Sequence, residues 1–134
     1  MPSYRIRRTE DFERDVGNHL ARHYPAGKKG RASRRDFQER LGKVVDDIAT
    51  DPRRHEDEPW PSDPPPGWEF RKARFFLPRL KNDARRARLP YLVNHDTKEV
   101  ALVWFYTHAE FTERPSDAAL GARVSAALRL DADN

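Results

Sequence analysis

The 134-residue chain contains no cysteine, which excludes disulfides, thiolate catalysis and cysteine-based zinc knuckles together. It also lacks a phosphate loop: Gly27, Lys28, Lys29 and Gly30 have neither the interval nor the following Ser or Thr. No serine sits in a nucleophile elbow. No apolar run approaches the roughly 20 residues that cross a bilayer, and the opening residues carry no apolar signal core. A cytoplasmic protein with no membrane partner is therefore expected. Repeats are absent.

Acids are nearly missing from residues 71–88, where Asp83 stands alone against Arg71, Lys72, Arg74, Arg79, Lys81, Arg85, Arg86 and Arg88. Residues 46–69 show the reverse, with eight acids against two arginines. The formal net charge is only +4, but separated surfaces of this kind focus a positive potential onto a polyanion. At 37% apolar and 36% charged, the chain supports one modest core, and a single domain over residues 1–134 is expected.

Ser3 to Arg8 alternates enough for a short edge strand, with Tyr4 and Ile6 on one side. Thr9 caps a helix whose first turn is acidic, whose stripe is Phe12, Val16, Leu20 and Tyr24, and which Pro25 stops. Residues 26–32 read as a flexible basic joint. Ser33, with Asp36 three residues on, reads as the capping box of a second helix carrying Phe37, Leu41, Val44, Val45 and Ile48 up to Asp51 and Pro52. Burying those five side chains contributes about 1.5–3 kcal/mol each. Backbone ordering costs about 1–2 kcal/mol per residue, so the helix must lie on a sheet.

Six prolines and several acids make residues 52–67 an expected extended loop outside any sheet. Three strands follow. Residues 68–77 place Ala73, Phe75 and Leu77 on one face and Phe70, Lys72, Arg74 and Phe76 on the other. Residues 86–94 set Leu89, Tyr91 and Val93 against Arg88, Pro90 and Leu92, and Pro90 demands a bulge or an outward-facing nitrogen. His95 to Glu99 is a hairpin turn. Val100 to Thr107 is apolar on both faces, as a strand covered on both sides must be. Ser116 and Asp117 open a last helix over 116–130, striped by Leu120, Val124 and Leu128. The order β-α-α-β-β-β-α predicts an α+β domain with an antiparallel sheet, two N-terminal helices on one face and a C-terminal helix.

A cationic sheet face points at phosphate. Metal-independent RNA cleavage uses the 2′-hydroxyl against its own phosphate, so a site must take that proton and stabilise the added negative charge. Arg88 and Arg74 are suited to fork phosphate oxygens, His108 to move a proton, and Lys72 to add charge or accept a proton. Glu110 or Glu69 offers a carboxylate base. Arg71, Arg79, Lys81, Arg85 and Arg86 extend the basic track, and Phe70, Phe76 or Tyr106 offers a ring on which a base stacks. Each has a plainer reading: Lys72 and Arg74 as the wet face of a strand, Arg88 paired with Asp96 or Glu99, His108 bonded to backbone. His19 and His23 stand one helical turn apart, but no glutamate lies between them and no third ligand is evident. Neither metal nor cofactor is expected.

With Arg88 and Tyr91 in one strand, Trp104 to His108 ending the next, and paired helices before a basic strand, the chain resembles the RelE/ParE superfamily of bacterial toxins over roughly residues 3–115. The resemblance implies a RelE-like fold and a toxin of a type II toxin–antitoxin system, held inactive by a cognate antitoxin. In the RelE-like branch it implies an endoribonuclease, an mRNA interferase acting on the ribosome to inhibit translation. In the ParE-like branch it implies a non-nuclease toxin of DNA gyrase. A non-toxic basic interaction domain on the same fold is the third alternative. The family's charged positions fall on Lys72, Arg74 and Arg88, and its basic or histidine position after the last strand on His108. Its C-terminal tyrosine has no match beyond the nearby Tyr106. The proline-rich loop and the helix after Ser116 are departures.

Overall fold

A computed structural model describes residues 4–132, with side chains through 129; Ser3 lies outside them. The first strand, β1 (Arg5–Arg8), leads into α1 (Glu10–His23). Thr9 caps it as expected, accepting from the Phe12 amide at 3.2 Å and donating its hydroxyl to the Leu102 carbonyl at 2.7 Å. One residue thus starts the helix and fastens it to the sheet.

The second helix departs from expectation. α2 spans Lys28–Thr50, so Ser33 and Asp36 lie inside it rather than at its cap, and residues 28–32 are helical rather than a joint. Gly27, at φ 73°, makes the entry turn that a side chain would strain. At Gly30 a Cβ would fall 1.8 Å from the Pro25 carbonyl oxygen, so the connection packs directly on the helix. Arg34 closes it from the other side by donating to the Gly27 carbonyl at 2.9 Å and to that of Pro25.

Strands β2 (Glu56–Asp57), β3 (Glu69–Phe76), β4 (Arg86–Asn94), β5 (Glu99–Leu102) and β6 (Tyr106–Thr107) complete the sheet, and α3 (Asp117–Ala132) ends the chain. The order is β1-β5-β4-β3-β2, with β6 beside β4. The sheet is mixed rather than antiparallel throughout, because β1 runs parallel to β5. Alternation fixed which face β1 presents, whereas its direction depends on which strand it meets.

Two further corrections concern pairing. The acidic segment expected to stay outside the sheet joins it at β2, where Glu56 and Asp57 oppose Lys72 and Arg71. Opposite charge holds it there: Asp57 lies 3.2 Å from Arg71, Glu58 lies 3.0 Å from Lys72, and Glu56 contacts Arg74. The expected continuous strand 100–107 is broken. Between the pairs Tyr91–Leu102 and Arg88–Tyr106, β4 has two residues and its partner three. This bulge sits at Pro90, whose carbonyl accepts from the Val103 amide at 3.0 Å and which has no N–H to offer beside it.

One face carries Ala73, Phe75, Leu89, Tyr91, Val93, Val100 and Leu102 against α1 and α2; the other carries Phe70, Leu92, Ala101 and Tyr106 against α3. Val103 and Trp104 fall together on the second face, as a bulge requires. Trp60 and Trp68 pack against the same cluster, Trp60 with its ring 5.3 Å from that of Phe70. Helices therefore sit on both sides of the sheet, and Ser116 precedes α3, its hydroxyl accepting from the Ala119 amide at 3.2 Å. No helix among the described residues is long and apolar enough to cross a membrane.

Candidate nucleic-acid interface

The register of β3 on β4 sets Arg74 directly opposite Arg88 and Phe76 opposite Arg86. These positions share the face that α3 covers further along, but they lie beyond the apolar residues packed against it. With Arg40 of α2 and Phe75 they line a cavity of about 400 Å³. Phe76 is 59% exposed, the one large apolar side chain left open to solvent among the described residues. The Arg85 guanidinium lies over its ring at 4.7 Å, and Arg40 donates to its carbonyl at 3.2 Å while lying 5.6 Å over the Phe75 ring.

Like charges directly opposed across two strands are destabilising unless an anion lies between them. Arg74 is relieved in part by Glu56, both side chains being about half exposed. Arg88 feels the Glu56 charge only at a distance. Among the described residues no carboxylate lies within 4.0 Å of it or of Arg86, and its Nη1 donates only to the Ala87 carbonyl at 2.9 Å. Burial, and then the Arg74 charge, lower its pKa.

His108 follows β6, its amide donating to the Arg86 carbonyl at 3.1 Å. Burial lowers its pKa below the ordinary 6.5, and the Arg88 charge lowers it further. Both effects favour the neutral ring, which has a nitrogen lone pair to receive a proton. No hydrogen bond to it is made among the described residues.

The structure draws the other candidates elsewhere. Lys72 is buried against Glu58 at 3.0 Å. Arg71 is held by Asp57, by Glu69 at 3.0 Å and by the His55 carbonyl at 2.6 Å. Arg79 reaches Asp36 of α2 at 2.7 Å. Lys81 is exposed in the β3–β4 connection. Tyr106 and Phe70, taken as stacking rings, are interior, and burial pushes the Tyr106 phenol up to about 12. Glu110 bonds Thr107 at 2.8 Å and faces His23, away from the arginines. The hairpin pairing considered for Arg88 does not form, since Asp96 and Glu99 lie at the far end of β4. Arg40 and Phe75 were missed as site residues: Phe75 read as core, and nothing local marks a helix arginine that arrives from another layer.

Glu69 is an anchor. Arg53 at 2.7 Å, His95 at 3.0 Å and Arg71 hold its carboxylate down to about 2, with Arg53 the largest cause. A depressed carboxylate stabilises the fold above its ordinary value near 4.5, and that stability disappears as pH falls toward 2. Glu69→Gln is expected to flatten the acid limb of urea-melt stability between those values. High salt shrinks the difference, because the cluster is partly exposed. An unchanged acid limb in the variant removes Glu69 from acid denaturation.

Compared with protein-family models and with curated proteins, the chain finds no match.

Proposed function

We propose that the chain binds single-stranded RNA at the arginine cavity and cleaves it without metal, as a RelE-like mRNA interferase toxin does. The observation that carries this is the opposed pair Arg74 and Arg88 on an open face, with Arg88 lacking any carboxylate partner among the described residues. A phosphodiester supplies the missing anion. Arg88, Arg86 and Arg74 fork its oxygens, and the exposed Phe76 ring takes a neighbouring base. Neutral His108 accepts the 2′-hydroxyl proton, the 2′ oxygen bonds to phosphorus, and the bond to the 5′ oxygen breaks. Water protonates the departing oxygen, leaving a 2′,3′-cyclic phosphate. The resemblance supplies mRNA on the ribosome as substrate and an antitoxin as partner.

A second reading, a basic domain that binds without cutting, rests on Lys72. The family resemblance gives that position a role at the phosphate, yet here it is closed off by Glu58. The ParE-like reading, inhibition of gyrase, needs no proton shuttle and draws nothing from His108.

Three assays separate these readings: growth on induction, transcript ends mapped by primer extension, and gyrase supercoiling. Arg88→Ala is expected to abolish growth arrest, weaken single-stranded RNA binding and lower the salt slope of log K by about one. His108→Ala is expected to keep binding and lose the new transcript ends. Both should stay within about 1 kcal/mol of the parent in stability. New ends that persist in both variants overturn the assigned chemistry, and gyrase inhibition without new ends favours the ParE-like reading.

A further inference from the structure

A second cleft, of about 490 Å³, is lined by Asp15, His19, Arg22, Trp104, Glu110 and Arg123, among others. Part of its wall is already complete. Asp15 takes the Arg123 guanidinium through both oxygens, at 2.5 and 2.9 Å, and accepts the Phe105 amide at 3.0 Å. Arg123 in turn lies 3.7 Å over the Trp104 ring.

The rest of the wall is unfinished. His19 is only 3% exposed, yet neither ring nitrogen has a hydrogen-bond partner. A buried imidazole with both nitrogens unmet is costly, because its polar atoms have given up water without a replacement partner. Its neighbours are rings: Phe37 stacked at 5.1 Å, Phe105 edge-on at 5.1 Å and Tyr24 at 5.7 Å. The polar groups that do approach it are His23, one turn along α1, and Glu110, from the turn after β6. One ligand atom from each of the three lies within 4.8 Å of the others.

We propose that His19, His23 and Glu110 form a site for a single divalent transition cation of the zinc class, with a fourth coordination position open to the cleft. Zinc bonds of about 2 Å at tetrahedral angles set ligand atoms about 3.3 Å apart. His23 Nε2 and Glu110 Oε2 already stand 3.4 Å apart. Two imidazoles and one carboxylate with an open position is a donor set that zinc takes in hydrolytic sites, and residues one helical turn apart present both rings from one face.

The carboxylate is held in advance. Thr107 donates its hydroxyl to Glu110 Oε2 at 2.8 Å and its amide to Oε1 at 3.3 Å, the kind of outer support that fixes a ligand's direction. Ligation gives His19 the partner the protein does not supply. The site is separate from the arginine cavity, and none of its three residues takes part in the proposed RNA chemistry.

The test uses the full chain without a histidine tag, stripped with chelator and titrated with Zn²⁺ by calorimetry. Co²⁺ absorption serves as an independent report of tetrahedral ligation. One Zn²⁺ per chain is expected, with a rise in Tm as binding to the native state requires. His23→Gln and Glu110→Gln, both at half-buried positions, should each weaken binding at least tenfold and lose the tetrahedral Co²⁺ bands. His19→Ala is avoided as the deciding variant because the ring is packed in the core. Failure of the parent to bind one Zn²⁺, or binding undiminished in both variants, overturns the proposal. RNA binding by Arg88→Ala is read separately, so either assignment can fail alone.

Discussion

Glu58→Ala is expected to cost about 3–5 kcal/mol in urea denaturation, a large share of the total stability of a domain this size. The carboxylate comes from the acidic segment after β2 and meets the Lys72 ammonium at 3.0 Å, the two side chains being 5% and 9% exposed. The contact is ionic rather than well directed, since Oε2 lies off the line a hydrogen bond needs. Arg114 adds a second cation at 3.5 Å. Removing the carboxylate leaves an ammonium in the interior with no counter-charge. A matched apolar pair, Glu58→Leu with Lys72→Met, should recover most of the loss, because neither charge is then stranded. Glu56→Ala, which frees the half-exposed Arg74, should cost no more than about 1 kcal/mol. Equal losses from Glu56→Ala and Glu58→Ala would mean that burial does not distinguish the two pairs.

Phe37→Ala should lose a similar amount, about 3–5 kcal/mol, and Phe37→Leu less than half of it. The ring is fully buried and meets three others: His19 stacked at 5.1 Å, Tyr24 at 5.6 Å and Phe105 edge-on at 5.8 Å. Deleting it opens a void where α1, α2 and the bulged strand meet, so neighbouring rings cannot close over it without moving backbone. A loss under 1 kcal/mol would mean that α1 and α2 collapse together and that the junction is not rigid.

These two residues also show where the sequence was readable. Phe37 belongs to a period of 3.6 that needed no partner to be seen, and the alternation in β3 and β4 grouped Phe75 with Ala73 and Leu77, and Leu89 with Tyr91 and Val93, as they stand in the core. Glu58 was unreadable. Its segment carries prolines and acids, and only the cations opposite it make a strand there favourable. Ser33 misled because a serine followed by an acid resembles a cap wherever it stands, while the actual entry depends on Gly27 and a close approach to Pro25. The same limit applies to the sites. Arg74, Arg86 and Arg88 were visible as a cationic run; which of that run stay open, and which are neutralised, was settled by acids brought from the 56–58 segment, Glu69 and α2. His19 and His23 were visible as a pair, but Glu110 is separated from His23 by 87 positions and no local spacing announces it.

The parallel placement of β1 beside β5 has a bearing on how the chain reaches this arrangement. Arg5 is matched with Glu99, and Arg8 with Leu102. On a ribosome, the strand made first must therefore wait until almost the last strand has emerged. The hairpins of residues 69–102 can pair locally and quickly, whereas docking of residues 5–8 makes the longest-range strand pairing in the sheet and belongs to the slow end of the process. Until it happens, the outer rim of β5 is a bare template of amides and carbonyls on which a second nascent copy is able to pair.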